Sequence, residues 1–192
     1  MNRKGFTLVE LIAMLVVISV LMVIAIPNIS GIIKKNRESI GVEDVNKLVR
    51  GAKTKFSVKS AAYPKYQNGC VVLTLDYIDT NDDFKDGVNG GRYDRDESFV
   101  VVKKVKTGDV STYKFYVRLV ETTDDGKTYV IGLAEYDDFS KNPSSSRYEV
   151  LTNAKKIKNG NTFKSTSDVK TVIKTINNNV DLCNGGVSNL YS

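Results

Sequence analysis

Phe6-Thr7-Leu8-Val9-Glu10-Leu11-Ile12-Ala13-Met14-Leu15-Val16-Val17-Ile18-Ser19-Val20-Leu21-Met22-Val23-Ile24-Ala25-Ile26-Pro27 is the stretch that decides the architecture. Between residues 11 and 26, Ser19 is the only polar side chain. As a helix rising ~1.5 Å per residue, 6–26 would be about 31 Å long, close to the hydrocarbon thickness of a bilayer. A cleaved secretory signal fits less well. Its apolar region is shorter and ends at a small-residue site, whereas Ala25 is followed by Ile26 and Pro27. The stretch therefore predicts a membrane-spanning helix over 6–27, preceded by a short flank at 1–5. Arg3 and Lys4 suit a cytoplasmic side, but Lys34, Lys35 and Arg37 match that charge beyond the span, so the positive-inside count alone leaves orientation open.

The helical pattern continues past Pro27. Ile29, Ile32, Ile33 and Ile40 are followed by Val45, Leu48, Val49, Ala52 and Phe56, whose spacing puts one apolar stripe on a helix. Pro27 removes a backbone donor and should kink the helix, with Gly31 and Gly41 as further soft points. The expectation is one long helix over 6–59, with an amphipathic continuation at 28–60 that needs a surface to pack on.

That surface reads as a sheet. The runs 70–73, 99–105, 110–121 and 128–134 are rich in Val, Tyr, Phe and Thr. Thr107-Gly108-Asp109 and Asp124-Asp125-Gly126 separate the last three as turns, which gives an antiparallel meander. Thr74 caps a predicted helical turn through Leu75, Tyr77 and Ile78, and 81–91 and 137–147 read as loops. Val169, Val172, Ile173 and Ile176 predict a helix near the end. The predicted fold class is α+β: a long N-terminal helix, membrane-spanning in its first half and amphipathic in its second, packed on an antiparallel β-sheet head at 61–192 that ends in a helix.

A chain of 192 residues accommodates one such domain with an appended element. Its formal charge of +6 is mild, and basic clusters alternate with acidic runs, so a solvated surface explains them and no nucleic-acid partner is expected. With no histidine and no serine or cysteine in a nucleophile motif, no enzymatic activity and no cofactor are expected. The loop Gly87-Val88-Asn89-Gly90-Gly91 lacks the lysine and setting of a phosphate-binding loop. Cys70 and Cys183 lie in the part that would be exported, where an oxidising environment permits a disulfide; two reduced thiols are the other reading.

Glu10 stands apart as an ionisable group just inside an apolar run, where an unpaired charge costs roughly 2–3 kcal/mol at the span centre. Either it lies near enough to the end to reach water or it has a partner. The sequence around it, Arg3-Lys4-Gly5-Phe6-Thr7-Leu8-Val9-Glu10 leading into the apolar run and Pro27, closely resembles the type IV prepilin signature. The resemblance covers about the first 30 residues; beyond them only the architecture is similar. It implies a leader at 1–5, cleavage by a prepilin peptidase between Gly5 and Phe6, and N-methylation of Phe6. It further implies that Glu10 pairs with the N-terminal amine of a neighbouring subunit, and that the helix near Pro27 and Gly31 is a place where regular structure can be lost in the filament.

The function this implies is a structural subunit of a type IV pilus, inserted in the cytoplasmic membrane with its head outside and then polymerised through its N-terminal helix into a surface filament. Its partners would be copies of itself or other pilins, the peptidase and the membrane-bound assembly machinery. The alternatives are a pseudopilin of a type II secretion or competence system, or a membrane-anchored surface domain that binds without polymerising. Some secretion pseudopilins carry calcium in a loop before their last strands, and the acidic stretch here offers a weak calcium candidate in Asp79, Asp82, Asp83 and Asp86. It fails the EF-hand template, since Phe84 replaces the required glycine and Gly90 the bidentate glutamate.

Overall fold

Cys70-Val71-Val72-Leu73-Thr74 is apolar at every position but its last, the pattern of a strand covered on both faces. In the computed structural model these residues form β1 (Cys70–Thr74), buried along its whole length. The structure describes residues 6–58, 63–137, 148–150, 166–176 and 180–191, without the side chains at 24–28, 30, 34, 148–150 and 166–168. The other elements are α1 (Leu8–Val58), α2 (Leu75–Ile78), β2 (Arg92–Tyr93), β3 (Phe99–Thr107), β4 (Val110–Thr122), β5 (Thr128–Glu135), β6 (Tyr148–Val150), α3 (Thr166–Ile176) and β7 (Val187–Tyr191). The chain divides into two compact units, Met1–Ser39 and Ile40–Ser192.

In the second unit the sheet runs β6-β5-β4-β3-β1-β7, with β2 added beside β4. Pairing sets the two faces. Val71 lies opposite Val102 and Leu73 opposite Val100, and all four share one core with Val45, Leu48, Val49, Ala52 and Phe56 of α1. Val72 lies opposite Val101, and with Cys70 and Phe99 they form a second core against Val169 and Ile173 of α3. The stripe Val45, Leu48, Val49, Ala52 and Phe56 is thus buried, each large apolar side chain contributing ~1.5–3 kcal/mol relative to exposure, whereas Ile29, Ile32, Ile33 and Ile40 earlier in α1 are exposed. The hairpins β3–β4 and β4–β5 turn at Gly108 and Gly126, both with positive φ, as the turn signals require. Thr74 caps α2, its hydroxyl accepting from Tyr77 N at 3.3 Å.

The sheet is mixed, and this corrects the antiparallel expectation. β7 lies parallel to β1, with Val72 opposite Leu190 and Leu73 opposite Tyr191. A parallel neighbour needs a long crossover, and here the chain between the two strands supplies the rest of the sheet and α3. The same strand is tied covalently: Cys70 and Cys183 form a disulfide closing a separation of 113 residues, with both cysteines buried. Of the predicted loop 137–147, only Asp137 falls among the described residues.

Among the described residues of this unit, Arg118 and Glu97 form a buried ion pair. Arg118 and Glu97 are about 3% and 1% exposed, with Arg118 Nη2 3.9 Å from Glu97 Oε2. Burial lowers the Arg118 pKa from its ordinary value, and the Glu97 charge opposes that shift.

In the first unit, α1 turns its apolar residues outward on every side. Among the described residues 6–23, the large apolar side chains range from 48% exposed at Ile18 to 77% at Leu8. Against the expected membrane-spanning first half, no helix among the described residues is long and apolar enough to cross a membrane; the side chains at 24–27, the end of the expected span, are outside them.

Candidate assembly site at the helix N-terminus

α1 begins at Leu8, which makes Thr7 the residue before its first turn and Glu10 the third residue within it. The first amides of a helix have no partner inside it. Here Thr7-Leu8-Val9-Glu10 closes on itself as a reciprocal cap: Glu10 N donates to Thr7 Oγ1 at 3.3 Å, and Thr7 N donates back to Glu10 Oε2 at 2.8 Å. The Thr7 hydroxyl also donates to Oε2, at 3.0 Å. The carboxylate sits near the positive end of the helix dipole, a favourable place for an anion. Leu11 N continues the ladder to Thr7 O at 3.2 Å.

Around this cap the surface is apolar. Phe6 is 71% exposed, and the nearest polar side chain farther along is Ser19, whose hydroxyl is turned back onto Leu15 O at 2.5 Å. A helix that is hydrophobic all round calls for an apolar surrounding, lipid or other helices. The site therefore combines a capped carboxylate at its head with a sleeve of exposed aliphatic side chains.

The remaining sequence-derived positions separate from it. Gly5, one side of the expected cleavage point, lies outside the described residues, as does the Pro27 side chain; the backbone at 27 is inside α1. Cys70 and Cys183 belong to the second unit.

Around the weak calcium candidate Asp79, Asp82, Asp83 and Asp86, as elsewhere among the described residues, no group of His, Cys, Asp or Glu is placed to hold a metal ion. Arg95 takes that role instead. Its Nε is 3.0 Å from Asp76 Oδ1, and its Nη1 is 3.1 Å from Asp79 Oδ2 and 3.3 Å from Asp82 Oδ1. Asp79 also accepts from Asp83 N at 2.8 Å and Phe84 N at 3.2 Å. Burial alone would raise the Asp79 pKa, but these backbone donors and Arg95 outweigh it and leave the carboxyl below its ordinary value.

Sequence reasoning passed over two polar arrangements. The Thr-x-x-Glu spacing before an apolar run is itself a helix-start signature, legible at Thr7 and Glu10. The other is the buried Glu121 on β4, which accepts from Asn89 N and Gly91 N at 2.8 and 2.9 Å and from Asn89 Nδ2 at 2.9 Å. Gly87 lies against this carboxylate so closely that a Cβ there would strike it. The glycines of 87–91 serve the wrapping of a loop around a side chain of the same protein.

Comparison with known proteins bears on the N-terminal segment. The family described as "Prokaryotic N-terminal methylation motif" matches residues 1–26. The chain is 39% identical over 61 residues to "Competence protein ComGC" of Bacillus subtilis (strain 168), covering 30% of this chain and 58% of that protein. It is 38% identical over 61 residues to the "ComG operon protein 3 homolog" of Bacillus licheniformis, covering 30% of this chain and 59% of the relative. The chain thus spans less than two thirds of the curated relatives it matches. No solved structure matches it. Residues 1–26, which hold the capped, apolar helix start, thus match a prokaryotic N-terminal methylation motif, and the likeness to the two curated relatives extends over 30% of the chain.

Proposed function

We propose that the chain is a structural subunit of a type IV pilus-like surface filament, cleaved between Gly5 and Phe6, N-methylated at Phe6, and polymerised through the first half of α1. The observation that carries this reading is the apolar sleeve of residues 6–23, exposed on all sides and headed by a single carboxylate, on a segment that matches a methylation motif. In this reading residues 6–27 span the cytoplasmic membrane before assembly and pack against copies of themselves afterwards, exchanging one dry surrounding for another. Association between apolar helices without a water-driven gain depends on packing and polar pairing. A Glu10 carboxylate paired with the Phe6 amine of a neighbouring subunit neutralises both charges and fixes the register between chains. Partners are copies of this chain or other pilins, the prepilin peptidase and the assembly machinery. The head acts as a scaffold and binding surface, and no catalytic role is proposed for it.

A second reading within the same class, a pseudopilin of a competence system, is favoured by the name of the Bacillus subtilis relative. Peptide mass spectrometry of material sheared from cells tests both. Chains starting at methylated Phe6 in a high-molecular-weight sheared fraction are the expected result, and Glu10→Ala should leave cleavage intact while reducing filament yield at least tenfold. An uncleaved, membrane-retained chain would leave a simple surface anchor in place of a filament subunit. Loss of transformation in a strain lacking the chain, with adhesion and motility intact, would select the competence system.

A further inference from the structure

The Glu10 carboxylate is held by one of its two oxygens. Oε2 accepts from Thr7 N and from Thr7 Oγ1, and no hydrogen bond to Oε1 forms among the described residues. A carboxylate accepts at both oxygens, so the pairing with Thr7 leaves half of its capacity open. The cap also aims the group. Because Thr7 precedes the helix, a side chain bonded to it points back along α1 toward residue 6, where a cleaved subunit carries its amine.

We infer that Thr7 is a positioning residue for assembly: its hydroxyl holds Glu10 in one orientation, with Oε2 committed inside the chain and Oε1 presented to the N-terminal amine of a neighbouring copy. This rests on the filament reading above. Two physical reasons support it. A carboxylate entering a water-free surrounding needs donors, and Thr7 supplies two before any neighbour has arrived. A group already fixed in its bound orientation also loses less freedom when the neighbour docks.

The hydroxyl is the deciding group. Any residue at position 7 other than proline offers the backbone amide, but the Thr7 hydroxyl both donates to Oε2 and accepts from Glu10 N. Valine has the same shape and can do neither. Serine can do both.

The test uses the full chain co-expressed with the unaltered one in cells that shear off filaments, with mass spectrometry reporting N-terminal processing and the share of each variant in the sheared fraction. Thr7→Val should be processed normally yet enter filaments roughly three- to tenfold less than the unaltered chain, and Thr7→Ser should restore entry. Because Thr7 acts through Glu10, the double variant Thr7→Val with Glu10→Gln should enter no less than Glu10→Gln alone. An added loss in the double variant would make Thr7 a general helix cap and overturn the proposal, as would normal entry of Thr7→Val. Failed processing of Thr7→Val would also overturn it, by placing Thr7 in peptidase recognition. Absence of the unaltered processed chain from the sheared fraction would instead remove the filament reading on which the proposal stands.

Discussion

Arg95 gathers Asp76, Asp79 and Asp82 around one guanidinium, and the three acids differ in what they contribute. The Asp76 and Asp82 side chains are more than half exposed, where solvent and salt weaken such pairs, whereas the Asp79 side chain is 2% exposed. Asp79→Asn should therefore destabilise the head by about 2 kcal/mol at neutral pH, the scale of hydrogen bonds to a charged group, as read from urea unfolding. The Asp79 pKa is depressed on folding, so its contribution is fully present above its unfolded value of about 4 and is lost as pH falls through the folded one. The variant should consequently show a shallower loss of stability below pH 4 than the unaltered chain. Glu121 offers a sharper readout. Glu121→Ala leaves the Asn89 and Gly91 amides without their acceptor, at a cost of about 3 kcal/mol. Those two amides should exchange with deuterium well before the amides of β3. Neither arrangement was legible in the sequence. An acidic run reads alike whether it faces solvent, calcium or an arginine 16 residues from Asp79, and a glycine-rich loop does not announce what it wraps.

The elements with a strong local signal were legible. α1 carries its apolar stripe at Val45, Leu48, Val49, Ala52 and Phe56, all buried, and the β3–β4–β5 meander follows from turn signals and β-branched runs. What escaped is what depends on distant chain. β2 and β6 have only two and three residues, and β7 is the five-residue run Val187-Ser188-Asn189-Leu190-Tyr191, whose polar centre gives no strict alternation. β7 is placed by its neighbour β1 and by the nearby disulfide, neither of which leaves a periodic trace. The bridge should matter accordingly. In the chain-entropy account a loop of this length contributes roughly 4–5 kcal/mol, so replacing both cysteines by alanine should lower unfolding stability by up to that amount. With both sulfurs in the core, the native chain should resist reductant until denaturant opens it, which thiol labelling against urea concentration will follow.

At the scale of the whole molecule the two units call for different solvents. Every residue of the two apolar cores lies between 42 and 191, so the second unit holds its own core without residues 6–28. A chain beginning at residue 29 should partition into the aqueous phase of a detergent separation and unfold cooperatively, while the full chain partitions with detergent. Aggregation of the shortened chain, with its disulfide unformed, would show that the head needs the apolar segment to fold. The parallel seam between β1 and β7 has a consequence in time. A polypeptide leaves the ribosome from its N-terminus onward, so β1 meets β3 early and waits for its other neighbour until residues 187–191 emerge. Until then β1, an inner strand of the finished sheet, is an open edge, the kind of surface on which strands of other chains pair. Losing residues 187–191 would make that exposure permanent, so a stop codon just before Val187 should be as damaging to folding of the head as one in the middle of the sheet.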